Sequence, residues 1–62
     1  MSAVTEIHTV EMHDVRLICE VQAEDGDFEL TEVLLGSANV LPLLSDKVLA
    51  CIHAEIAYRV AA

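Results

Sequence analysis

A chain of 62 residues makes one small domain, and a domain of that size buries only about 60% of the surface its unfolded chain exposes. Hydrophobic residues make up 55% of it, with no Trp and only Phe28 and Tyr58 from the aromatic class, so an apolar chain with little internal scaffolding points to a homodimer. Eleven acids against Arg16, Lys47 and Arg59 leave a net charge of −8, which argues against direct contact with nucleic acid or an anionic membrane and points to a basic partner.

The first residues, Met1 to Thr5, carry little pattern and read as a frayed end. Residues 6–12 alternate weakly through His8, Val10 and Met12. With His13-Asp14 as a tight turn, Met12 would face Val15, Val10 would face Leu17, His8 would face Cys19 and Glu11 would face Arg16. His-Asp is a poor loop pair, however, so one long bent strand over residues 6–23 stands beside the meander as an alternative. Residues 15–23 alternate clearly, with Val15, Leu17, Cys19, Val21 and Ala23 on one side and Ile18 as the apolar exception on the other. Asp25-Gly26 suits the positive-φ positions of a two-residue hairpin loop, and residues 28–35 follow as a second strand.

In that register Ala23 faces Phe28, Val21 faces Leu30, Cys19 faces Glu32 and Leu17 faces Leu34, while Ile18 faces Val33 and Glu20 faces Thr31. Glu32 is then out of place on an apolar face, which calls for an edge position, a partner or a slip of one residue. Gly36-Ser37-Ala38-Asn39 breaks the strand. The apolar connector from Val40 to Leu44 has room for a helical turn, and its Leu residues would plug the space between sheet and helix.

Residues 45–60 form the predicted helix. Ser45 is a good N-cap for the amide of Val48, Asp46 lies in the first turn where the helix dipole favours an acid, and Pro42 stops backward extension. Leu49, Ile52, Ile56 and Val60 recur at steps of three and four with Val48 beside them, and Glu55 and Arg59 make a favourable i,i+4 pair. The fold class expected is therefore α+β: an antiparallel hairpin or three-stranded meander packed by one C-terminal helix. The flank Ala50, Ala54, Ala57 and Tyr58 offers small residues for close approach of a second helix, and it or the free strand edge is the expected dimer interface.

Chemistry-bearing residues are scattered. His8, His13, His53, Cys19 and Cys51 are types that zinc prefers, but no Cys-x-x-Cys or His-x3-His spacing links them, and Cys51 and His53 diverge by about 200° around a helix. Cys19 opposite His8 is the one nucleophile–base pairing the meander allows, without a glycine-rich loop to supply an oxyanion site. No metal, other cofactor or enzymatic activity is expected. No apolar run approaches the about 20 residues of a membrane span and no basic leader precedes one, so the chain reads as cytoplasmic. The charge is uneven: Glu20, Glu24, Asp25, Asp27, Glu29 and Glu32 fall within thirteen residues, with no Lys or Arg between Arg16 and Lys47. This acidic hairpin is the candidate docking surface for a basic protein site, weighed against a purely solubilising edge.

The run FELTEVLLGSANVLPLLSDKVLACIHAEI, from Phe28 to Ile56, resembles the C-terminal part of small open reading frames of tailed phages and prophages. The residues that carry the likeness are Gly36, Val40, Leu43, Leu44, Ser45 and Asp46. The resemblance implies a phage accessory protein in the host cytoplasm with no catalytic residues to carry over. By analogy with small acidic phage proteins, it implies inhibition of a host defence or regulatory factor at its nucleic-acid-binding surface, or else a minor structural or assembly role.

Overall fold

The structure is a computed structural model and describes residues 3–61. Met1 and Ser2, part of the end read as frayed, lie outside that range. In chain order come strands β1 (Val4–Met12), β2 (Val15–Glu24), β3 (Asp27–Leu35) and β4 (Ala38–Asn39), a 3-10 turn (Leu41–Leu43) and helix α1 (Asp46–Ala61). The strands form one antiparallel sheet in the order β1-β2-β3-β4, giving an α+β fold.

The meander is the outcome, and the single bent strand is not. His13 and Asp14 adopt φ of 51° and 63°, so both take the left-handed backbone that a two-residue hairpin loop demands. His and Asp tolerate that region better than most side chains, which explains how a poor pair closes the turn. The β1–β2 register then runs without interruption from Met12↔Val15 to Val4↔Ala23, so Val4 and Thr5 are strand residues and not frayed. Asp25 and Gly26, at φ of 52° and 81°, close the next hairpin as the sequence predicts.

The β2–β3 pairing departs from expectation halfway along. Ala23↔Phe28 and Val21↔Leu30 hold, but a register shift between Glu20 and Val21 replaces the expected partners with Glu20↔Glu32, Cys19↔Val33 and Ile18↔Leu34. Thr31 is the extra residue, a β-bulge anchored by its hydroxyl, which donates to the Glu20 carbonyl at 3.1 Å and to Glu20 Oε1 at 3.1 Å. The physical reason is burial: the slip sends Val33 inward, where it is fully buried, and moves the misfit Glu32 to the opposite face.

The break at Gly36 is also tighter than a loop. Ala38 and Asn39 return as β4 against Leu35 and Leu34, and Asn39 Oδ1 accepts from the amides of Val33 and Leu41, both at 3.2 Å. Leu41–Leu43 makes the helical turn allowed for the connector. Ser45 Oγ accepts from the Val48 amide at 3.2 Å and starts α1, and no helix among the described residues is long and apolar enough to cross a membrane.

One face of the sheet is covered. Val10, Leu17, Cys19, Val21 and Val33 from the strands meet Ile52 and Ile56 from α1, all buried, with Val48 and Val60 packed at the margin and Leu49 half-buried. Fully burying an aliphatic side chain of this kind contributes about 1.5–3 kcal/mol. Among the described residues no helix or second sheet is layered over the other face.

Candidate functional site

Alternation along β2 fixes what the uncovered face carries. Since Leu17, Cys19 and Val21 point into the core, Arg16, Ile18, Glu20, Gln22 and Glu24 point away from it. Across from them β3 contributes Asp27 opposite Glu24, Glu29 opposite Gln22, and Glu32 opposite Glu20. Five of the six hairpin acids therefore share one face, and the sixth, Asp25, stands in the turn at its end. The bulge is responsible for the fifth. In the unbulged register Glu32 would have entered the apolar side.

This arrangement sets carboxylate against carboxylate twice, at Glu20↔Glu32 and at Glu24↔Asp27. Like charges directly opposite on a sheet are destabilising. Glu20 and Glu32 are half-buried, whereas Glu24, Asp25, Asp27 and Glu29 are exposed. At the hairpin end Glu24, Asp27 and Glu29 line an open hollow of about 300 Å³ together with Ala3, Gln22 and Phe28. Gln22 Nε2 donates to Thr5 Oγ1 at 2.8 Å, which leaves the amide oxygen for another donor. The hollow is open and partly apolar, with three carboxylates on its rim and ample room for a cationic side chain.

The thiols and imidazoles are not brought together into a reacting group. Cys19 is fully buried, and that burial pushes its thiol up, the Arg59 charge acting in the opposite and smaller sense. His8 does face Cys19 in the register, but its Nε2 donates to Glu6 Oε1 at 2.9 Å. Cys51 is exposed on the flank of α1 toward β1, while His53 stacks on Phe28 with ring centroids 4.5 Å apart, so the two diverge as their spacing requires. Among the described residues no three His, Cys, Asp or Glu side chains converge in a manner suited to a metal ion.

On the helix flank Ala50, Ala54 and Tyr58 are exposed and Ala57 is half-buried. Sequence reasoning missed a further contact there. Arg59 holds Glu55 at 3.3 Å and also donates from Nη1 to the Thr9 carbonyl at 2.7 Å, tying the end of α1 to the outer side of β1. Its only advance signal was a cation in the last helical turn. Comparison with protein-family models, with curated proteins and with solved structures finds no match to this chain.

Proposed function

We propose that the protein is a non-enzymatic binding module whose acidic β2–β3 face docks onto a basic surface of another protein and occludes it. The observation that supports this is the segregation of Glu20, Glu24, Asp27, Glu29 and Glu32 on one face, with facing carboxylates, no Lys or Arg in the sequence between Arg16 and Lys47, and no ion pair to any of the five among the described residues. A solubilising surface is served by interspersed charges of both signs. Here repulsion is built up locally, and a cationic partner relieves it. One Arg or Lys of the partner enters the hollow between Glu24, Asp27 and Glu29, where an Arg fork makes charge-assisted bonds to two carboxylates.

A protein surface able to fill such a site is one that otherwise grips phosphates. The likeness to small phage reading frames fits a cytoplasmic inhibitor of a host defence or regulatory factor, acting where that factor holds nucleic acid. Affinity capture from bacterial lysate, using the unaltered chain and a Glu24→Lys, Asp25→Lys, Asp27→Lys variant, tests the proposal. The captured protein is expected to be lost from the variant, to bind nucleic acid on its own, and to release it when the unaltered chain is added. Equal capture by the folded variant, or simultaneous binding of nucleic acid and this protein, would overturn it.

A further inference from the structure

β1 is an outer strand of the sheet. Met12 and Val15 close a two-residue loop as a hydrogen-bonded pair, so the even-numbered residues of β1 direct their N–H and C=O groups to β2 and Thr5, Ile7, Thr9 and Glu11 direct theirs outward. The Thr9 carbonyl, one of these outward groups, accepts from Arg59 Nη1 at 2.7 Å. Nine unbulged residues without Pro or Lys make the kind of edge that pairs with another strand unless something prevents it.

Charge selects the occupant. Among the described residues the acid–base pairs are Glu6 with His8, Glu11 with Arg16 and Glu55 with Arg59, and all of them lie on β1, the strand start beside it or the α1 flank above it. Glu6, Glu11, Asp14 and Glu55 against Arg16 and Arg59 leave this side two charges negative, far less than the stretch from Glu20 to Glu32, which holds six of the eleven acids and no Lys or Arg. A basic segment is drawn to the hairpin. A second acidic copy meets the least repulsion at the β1 edge.

The apolar exposure matches. Val4 is 58% and Ile7 60% exposed, and Tyr58, 77% exposed, stands two turns along α1 from Cys51, on the flank that borders a groove of about 630 Å³ against Thr9, Val10 and Met12. Tyr is a residue type enriched at protein interfaces. A two-fold axis through His8 pairs Thr5 with Glu11 and Ile7 with Thr9 on one face, and Val4 with Met12 and Glu6 with Val10 on the other. His8 meets its own copy on the axis. No carboxylate faces another in that register.

We propose that two copies join their β1 edges antiparallel about His8, forming one eight-stranded sheet with the Cys51 and Tyr58 flanks of the two helices closing over the seam. The interface is isologous, as a two-fold dimer requires. The Thr9 carbonyl has two lone pairs, so it keeps Arg59 on the helix side while accepting from the partner strand.

Sedimentation velocity and residue-resolved amide exchange on the full chain test this. The expected mass is twice 6.8 kDa. Slow exchange is expected at the outward amides of Thr5, Ile7, Thr9 and Glu11. Ile7→Lys should raise the dimer dissociation constant by about tenfold or more without changing the far-UV spectrum. A 6.8 kDa species at millimolar concentration would overturn the proposal, as would a dimer in which those four amides exchange freely. So would a dimer that survives Ile7→Lys and is lost in Ala54→Arg. Capture of a basic partner is read separately, since neither Ile7 nor these amides belong to the acidic face.

Discussion

Replacing Glu32 with Lys should make the domain more stable. Glu32 and Glu20 are cross-strand partners beside the bulge, both half-buried, and Glu20 keeps its bond from Thr31 Oγ1 when only Glu32 is changed. Cross-strand pairs contribute about 0.2–1 kcal/mol, unfavourable for like charges and favourable for opposite ones. Removing a repulsion and adding an attraction therefore stabilises by about 0.5–1.5 kcal/mol, with partial exposure holding the figure well below twice the maximum. In a domain this small, about 1 kcal/mol moves the melting temperature by roughly 4–8 °C.

Urea denaturation of Glu32→Lys, of Glu32→Gln and of the unaltered chain measures the effect. Gln, which only removes the repulsion, should fall between the other two. Raising the salt from 0.05 M to 1 M, where the screening length shrinks to about 3 Å, should erase most of the difference. Loss of stability in Glu32→Lys at low salt would refute the reasoning, because it would mean that position 32 looks into the core, as it does without the bulge. The same variant should weaken partner capture. Gain of stability with loss of binding is the signature of a residue kept for recognition.

Two further outcomes follow from local geometry. His13→Asn with Asp14→Gly should stabilise the first hairpin by about 1 kcal/mol, since non-glycine residues at positive φ are strained and Asn-Gly fits this loop best; a fall in melting temperature would contradict the loop assignment. A thiol reagent should modify exposed Cys51 quickly and buried Cys19 only as fast as the chain unfolds. Burial raises the folded-state pKa of Cys19, so its contribution is complete below the ordinary thiol range and is lost as pH rises through the folded value. Stability should therefore fall on the alkaline side, and fall less steeply in Cys19→Ala.

Some of this architecture is written in short-range pattern. The Ser45 cap, the Ile52 and Ile56 spacing and the Asp25-Gly26 loop each involve residues within one or two turns of one another, where backbone stereochemistry decides the outcome. The β2–β3 register is legible from the loop only as far as Val21↔Leu30. Beyond it the choice between registers depends on whether Val33 or Glu32 goes under α1, a question that involves Ile52 and Ile56, nineteen or more residues away. The conflict at Glu32 was visible, but its resolution at Thr31 needed the third dimension. The Arg59 bond to Thr9 spans fifty residues and has no local signature.

The bulge ties the two proposed surfaces together. By turning Glu32 outward it completes a face on β2 and β3 that repels its own copies, and it leaves β1, whose acids are paired with His8 and Arg16, as the side on which copies can meet. At physiological salt the screening length is about 8 Å, and with strands about 4.8 Å apart the β2 strands of two protomers would lie three spacings, about 14 Å, from one another and the β3 strands further, so hairpin charges interact weakly across the seam. Dimerisation at β1 therefore costs little in electrostatic repulsion and leaves both acidic faces available. The proposed dimer would present two acidic faces, and a target carrying two basic sites within its span would be held more tightly than either face alone could hold it.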